Sequence, residues 1–149
     1  ALAIIRKHRL WEVFLVEKLN FKWDEVHDMA EQLEHIRSSE LTDRLDAFLN
    51  YPTHDPHGDP IPDSNGVLPQ QERAELCDFD EGELVVVKGV KDNSTPFLQY
   101  LEKMEIGIGV QLRILERFEF DESVKIEIVG RTQFNISKRV SSNIYVNKI

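Results

Sequence analysis

Six side chains that can bind a transition metal lie near the beginning of the chain. They are His8, Glu12, His27, Glu31, Glu34 and His35. Imidazole nitrogens and carboxylate oxygens are ordinary ligands of manganese, iron and zinc ions. On a helix, residues four apart lie one above the other, so His8 would share a face with Glu12, and His27 with Glu31. This spacing suits a metal site that is built on two helices.

The segment over residues 26–36 separates these side chains from its apolar ones. With His27 at zero and about 100° per residue, the other three candidate ligands fall within an arc of roughly 100°. The apolar residues Val26, Met29, Ala30, Leu33 and Ile36 fall on the opposite side. A solvated helix face also carries glutamate and histidine, but it usually intersperses lysine or arginine, which this segment lacks. The pattern leaves both a solvated face and a metal-binding face open.

Composition limits the class of protein. The chain has 149 residues, of which 41% are hydrophobic, and this length fits one ordinary domain or two small ones. A net charge of −9 argues against binding nucleic acid through its own surface. The single cysteine, Cys77, excludes an internal disulfide framework and a cysteine zinc site, and it fits a cytoplasmic protein. We find no signal peptide and no membrane-spanning run, and the helical pattern at Ala1, without an initiator methionine, indicates a fragment.

The first part, residues 1–50, is predicted to be a helical domain. The apolar period predicts a first helix that stops at Asn20, a second over residues 24–36, and a third that is capped by Ser38 or Ser39. The spacing predicts that Leu41, Leu45, Phe48 and Leu49 form a buried stripe on the third helix. Three short helices make a thin core, so we expect this domain to form a two-fold homodimer.

Residues 51–75 are predicted to be a linker, because prolines and glycines recur there and prevent a helix. His54 and His57 lie within this segment. Turn-forming Asp, Gly and Pro explain the stretch without a metal, and a surface metal clip is the alternative.

Residues 76–149 are predicted to be mostly β-structure. Apolar segments at residues 83–90, 110–118, 124–129 and 144–146 read as strands, and an amphipathic helix over residues 96–104 would turn Phe97, Tyr100 and Leu101 inward. Five short strands with one helical insertion suggest a small, partly open SH3-like barrel. The whole chain is therefore predicted to be α+β.

Four motifs, in this order, resemble the iron- and manganese-dependent repressor family that is typified by the diphtheria toxin repressor and the manganese transport regulators. They are RKHRL at residues 6–10, VHD at 26–28, EQLEH at 31–35 and PHGDPIP at 56–62. The resemblance covers essentially the whole chain, with residues 76–149 similar to the FeoA-type SH3-like domain. Family members begin with a winged helix-turn-helix that binds DNA, and this chain begins after the position of that domain.

The resemblance implies two metal sites in the helical domain. One would use His8, Glu12 and His27, and the other Glu31, Glu34 and His35 with a ligand from the absent N-terminal helix. In a manganese pair the His8 equivalent can join the carboxylates of the other site, so the division into two sites stays open. Iron-responsive members have Cys at the position of Glu31, whereas manganese-responsive members have Glu. The family's barrel also donates Glu and Gln, but these positions fall near Asn93 and Pro96, which do not match.

The implied function is the metal-sensing and dimerisation part of a metal-dependent repressor that controls iron or manganese homeostasis genes. The expected cofactor is Mn²⁺ or Fe²⁺, which would select the arrangement in which its ligands are in register. Operator DNA would bind to the absent domain and not to this fragment, and no membrane partner is expected.

Two other functions are considered. A di-metal enzyme or store would need Glu-x-x-His at i, i+3 on paired helices, whereas His35 is four residues after Glu31. A module that docks proline-rich peptides on the barrel would bind them regardless of chelator. We therefore predict a sensor and not an enzyme.

Overall fold

The first helix, α1, spans Leu2–Leu19 and ends where the sequence predicted. Asn20 follows it with a φ of 61°, in the left-handed region that asparagine tolerates better than most residues. The buried apolar side chains of α1 are Leu10, Val13 and Leu15. The computed structural model that shows this describes residues 1–149, and they form two compact units, Ala1–Gln70 and Gln71–Ile149. The domain limits predicted from the sequence, at residues 50 and 75, remain predictions.

Two shorter helices complete the first unit: α2 spans Val26–Leu33 and α3 spans Ser39–Phe48. The predicted helix over residues 24–36 was therefore too long at both ends. Ser38 is extended, and its hydroxyl accepts the backbone N–H of Leu41, so the chain must leave α2 before this residue. This contact confirms Ser38, and not Ser39, as the cap of α3.

The proline-rich segment after α3 packs onto the helices instead of standing away from them. Ile61 is 5% exposed and lies in one apolar cluster with Leu10, Val13, Leu45 and Leu49. The guanidinium of Arg9 on α1 donates a hydrogen bond to the carbonyl of Pro60. The prolines prevent helix and strand, but they leave the segment compact enough to bury side chains.

The second unit is a six-stranded antiparallel sheet in the order β1-β6-β2-β3-β4-β5. Its strands are β1 Ala74–Glu75, β2 Leu84–Val90, β3 Gln111–Arg117, β4 Val124–Ile128, β5 Gln133–Ile136 and β6 Ile144–Lys148. Two helices, α4 Thr95–Lys103 and α5 Lys138–Ser141, lie between strands. The sequence analysis expected five strands and gave ranges for four of the six, namely β2, β3, β4 and β6. It gave no range for β1, which has two residues, or for β5, which has four, because such short segments carry too little pattern to identify a strand.

Alternating side chains build the core of this sheet. In β4, Val124, Ile126 and Ile128 are buried. In α4 the buried side chains are Leu98 and Leu101, whereas Tyr100 is 36% exposed. The prediction that these side chains are buried was therefore correct for Leu101 and wrong for Tyr100. The predicted α+β class is confirmed, and no helix of the structure is long and apolar enough to cross a membrane.

Candidate metal centre

The centre begins with two side chains that lie one turn apart on α1. His8 Nε2 is 3.3 Å from Glu12 Oε2, as the i, i+4 spacing predicted. The Glu12 side chain is 2% exposed and that of His8 is 16% exposed. A carboxylate at this depth needs a strong partner, because burial penalises its charged form.

The first turn of α2 brings His27 to the same place. The ring centroids of His8 and His27 are 4.9 Å apart. Ligand atoms of His8, Glu12 and His27 all lie within 4.8 Å of one another. The structure therefore brings together the three residues that the family resemblance assigned to the first site.

The other three predicted ligands do not form one group. Glu34, at the end of α2, places Oε1 3.3 Å from His8 Nδ1. Glu31 Oε2 is 3.9 Å from His27 Nε2, and both of these side chains are more than half exposed. His35 is exposed and belongs to none of the groups of three ligand-type side chains. The sequence analysis expected these ligands on one face of a helix that continued through residue 35. The helix α2 ends at Leu33, so Glu34 and His35 lie beyond it.

Sequence reasoning did not name Asp55 as a ligand, and it placed His57 only in an alternative surface clip with His54, whereas His57 is buried beside Glu12. His57 Nδ1 is 3.7 Å from Glu12 Oε2 and 4.0 Å from Asp55 Oδ2, and each of these side chains is 2% exposed. The His57 ring stacks on Trp23, and its Nε2 is 2.6 Å from the Trp23 carbonyl oxygen. The motif PHGDPIP contained the signal, but its Asp, Gly and Pro also explain a turn.

The titratable side chains of the centre have pKa values that are shifted in different directions. Burial raises the pKa of Asp55 to about 9, and the neighbouring Glu12 carboxylate adds to this effect. Burial also opposes ionisation of Glu12, but hydrogen bonds from His8 and Asp55 outweigh it and lower the pKa of Glu12. The hydrogen bond to Glu12 raises the pKa of His8. Asp55 therefore remains protonated near neutral pH and donates to ionised Glu12.

The donor set fits a divalent transition metal. It contains only nitrogen and oxygen ligands, which suit Mn²⁺ and Fe²⁺ better than softer ions. His57 Nδ1 is buried without a hydrogen-bond partner, although buried polar atoms are nearly always paired. A cation would bind such a nitrogen and would also balance the closely spaced carboxyl groups.

Two family models together match most of the chain. The model described as "Iron dependent repressor, metal binding and dimerisation domain" matches residues 1–63, and the FeoA domain model matches residues 74–148. Among solved structures, a manganese-dependent transcriptional repressor in complex with manganese is 37% identical with a TM-score of 0.91, and the match covers 100% of this chain and 71% of that one. The manganese regulator SloR is 39% identical with a TM-score of 0.86, covering 100% and 68%. The chain belongs to the metal-dependent repressor family.

Curated relatives match shorter stretches of the chain than the solved structures do. The iron-dependent repressor IdeR of Mycobacterium tuberculosis is 47% identical over 62 residues, which cover 42% of this chain and 27% of that protein. A probable metal transport system membrane protein of Chlamydia trachomatis serovar D is 45% identical over 62 residues, covering 42% and 14%. This chain spans 14% and 27% of the length of these two relatives.

Proposed function

We propose that this chain is the metal-sensing and dimerising part of a transcriptional repressor that responds to manganese or iron. The observation that carries the proposal is the meeting of His8 and Glu12 on α1 with His27 on α2. These side chains are polar, lie close together, and come from two separate helices. The role is regulatory and not enzymatic, and it would be performed in the cytoplasm.

Mn²⁺ or Fe²⁺ would be held by His8, Glu12 and His27. Glu31, Glu34 and His35 would supply the second set of ligands. His8 lies next to this set as well, because its Nδ1 is 3.3 Å from Glu34 Oε1. When bound, the cation supplies positive charge between the helices. The chain supplies ligands in register only when α1 and α2 are correctly packed, so binding favours that packing.

The second set points to metal choice. A cysteine thiolate at the position of Glu31 would prefer softer metal ions. The Glu31 carboxylate leaves a set of nitrogen and oxygen ligands, and such a set suits Mn²⁺ or Fe²⁺. Affinity alone ranks manganese below iron and zinc, so coordination geometry and metal supply would decide the physiological ion. We expect Glu31→Cys to favour Zn²⁺ or Fe²⁺ relative to Mn²⁺.

The partner is a second copy of this chain. The first unit exposes several large apolar side chains, among them Leu19, Met29, Ile36, Leu41 and Phe48. A small helical unit gains stability by burying such side chains in a two-fold interface. Sedimentation should show a dimer at tens of micromolar, and a monomer there would contradict this part of the proposal.

Operator DNA would be bound by a winged helix-turn-helix beyond these residues. The chain has a net charge of −9, which disfavours binding to DNA phosphates through its own surface. A dimer would set the separation of two recognition helices to match successive half-sites. We expect residues 1–149 alone to give no gel shift with operator DNA.

Calorimetric titration of the purified chain with Mn²⁺, and anaerobically with Fe²⁺, tests the proposal. His8→Ala and His27→Ala should weaken binding at least tenfold, because each variant removes a ligand. His54→Ala is the matched control, since His54 is exposed and its Nδ1 is 2.9 Å from the Thr53 hydroxyl. Unchanged affinity in both ligand variants would reject the proposed site.

A further inference from the structure

A cavity of about 570 Å³ lies in the first unit, where α1, the start of α3 and the loop over residues 63–66 meet. Sites for small molecules commonly have volumes of about 300–1,000 Å³. None of the candidate metal ligands lines this cavity. Its chemistry is therefore a question separate from the metal centre.

Two cationic side chains of the cavity lack an anionic partner. Lys7 and Arg37 both line it, and no carboxylate lies within ion-pair distance of either. The Lys7 ammonium makes one long contact, 3.4 Å to the carbonyl oxygen of Ile36. Two positive charges on two different segments therefore remain uncompensated at one place.

The acidic side chains that line the cavity already have partners. Asp43 lies 3.1 Å from the guanidinium of Arg6. The Oδ1 atom of Asp63 accepts two backbone N–H groups of its own loop, each at 2.9 Å. Because these carboxylates are engaged elsewhere, they do not neutralise Lys7 and Arg37.

The start of α3 adds donors beside the same cations. The Ser38 hydroxyl accepts the N–H of Leu41, and the Ser38 carbonyl accepts that of Thr42. The N–H groups of Ser39 and Glu40, in the first turn, have no intrahelical acceptor. Ser38 and Ser39 line the cavity. The N-terminus of a ten-residue helix favours an anion through these groups and its dipole.

A buried nitrogen of the cavity also lacks an acceptor. Arg6 lines the cavity and is 9% exposed. Asp43 and Asp46 both contact one terminal nitrogen of its guanidinium, while Nε has no hydrogen-bond partner. Buried polar atoms are nearly always paired. An oxyanion in the cavity would supply the acceptor that the chain does not.

We propose that this cavity binds a phosphate group, either as free phosphate or as part of a small phosphorylated molecule. A phosphate ester carries a charge of about −1.5 to −2 at pH 7, which matches the two uncompensated cations. The Arg37 guanidinium can bind two of its oxygens at once. The bound group would link α1 to the start of α3. This binding is additional to the proposed metal sensing and does not depend on it.

The first test titrates the unmodified chain with inorganic phosphate and follows backbone amides by NMR. The sample contains chelator in place of metal, and chloride keeps the ionic strength constant. The amides of Ser39 and Glu40 should shift in a saturable way, and those of β4 should not move. If neither helix amide shifts at millimolar phosphate, the proposal is overturned, whatever the behaviour of any variant.

The second test measures phosphate affinity by calorimetry in charge-removing variants. Lys7→Gln and Arg37→Gln should each weaken binding roughly tenfold or more, because each removes a charged donor. Lys18→Gln is the matched control: it removes the same charge from α1, and the Lys18 ammonium lies over the Phe48 ring and not in the cavity. Equal affinity in all three variants would overturn the proposal.

A third arm distinguishes the two sources of the phosphate group. Glycerol 3-phosphate is compared with inorganic phosphate, and glycerol serves as the uncharged control. Tighter binding of the ester would support the site and assign a phosphorylated small molecule, whereas equal or tighter binding of inorganic phosphate would support the site and assign the free anion. Glycerol binding as tightly as its phosphate ester would overturn the proposal. Because every titration is metal-free, failure of the proposed sensing site would leave these outcomes unchanged.

Discussion

The interiors of the two units differ in chemical character. The buried charged and titratable side chains, Arg6, Glu12, Asp55 and His57, all lie in the helical unit. In the sheet unit the buried polar side chain is Ser141, and the remaining interior is leucine, isoleucine and valine. One unit is held by apolar burial, whereas the other buries charges that need partners.

Arg6 illustrates how the helical unit satisfies such groups. Its guanidinium lies 3.1 Å from Asp43 and 3.0 Å from Asp46, both on α3, while its Nε has no hydrogen-bond partner. Buried ion pairs contribute little net stability, because desolvation offsets their attraction. The buried charges of the helical unit therefore add little to its stability, and we expect a bound cation to affect this unit more than the sheet unit.

The largest effect should come from the apolar core of the sheet. Ile126 is fully buried in the centre of β4, and truncation of such a residue costs about 2–5 kcal/mol. We expect Ile126→Ala to lower the free energy of unfolding of the sheet unit by this amount, whether or not metal is present. Hydrogen exchange of β3 and β4 amides measures it, with half-exposed Val129→Ala as the control. If the loss of stability in Ile126→Ala depended on metal, the contrast between the two units would be contradicted.

Metal removal should affect the helical unit alone. Mn²⁺ at a hundred times its dissociation constant should stabilise this unit by about 2.7 kcal/mol relative to excess chelator. Both tryptophans, Trp11 and Trp23, lie in the helical unit, so their fluorescence reports its unfolding. Mg²⁺ serves as the control, because it binds poorly to imidazole nitrogen. Equal stabilisation of the β-sheet amides would refute the prediction.

The helix cap should give an intermediate effect. Ser38→Ala removes the hydroxyl that accepts the Leu41 N–H at 3.1 Å, and loss of such a cap costs about 1 kcal/mol. The helical unit should lose this stability at any metal concentration, since the cap contacts none of the ligands. Denaturant unfolding followed by tryptophan fluorescence measures it. Ser39→Ala removes a neighbouring hydroxyl that is not the cap and should have less effect.

The smallest effect concerns a surface pair of the sheet unit. The Lys91 ammonium, 2.9 Å from Glu75, lowers the pKa of that carboxyl below its ordinary value of 4.5. A lowered pKa stabilises the fold above that ordinary value, and the stabilisation is lost as pH falls through the folded-state pKa. The stability difference between wild type and Glu75→Gln should therefore shrink between about pH 7 and pH 3. Exposed Glu72→Gln is the control, and a difference that grows on acidification would contradict this assignment.

Local pattern was sufficient for most of the elements. The end of α1 at Asn20 and the alternation in β4 depend on neighbouring residues, so the sequence predicts them directly. The cap of α3 is local in the same sense, and the sequence narrowed it to Ser38 or Ser39. The i, i+4 contact of His8 with Glu12 is local in the same sense. β5 alternates polar and apolar residues, but four residues are too few to identify a strand, and its place in the sheet is set by pairing with β4.

Contacts between distant segments could be known only from the tertiary structure. His8 meets Glu34 across 26 positions of the chain, and Glu12 meets His57 across a still longer separation. The sequence shows that Asp55 and His57 favour a turn, but not that the turn is buried against α1. That burial depends on Ile61 filling the apolar cluster and on Trp23 accepting from His57. Such contacts arise from packing, which residue type and spacing within one segment do not specify.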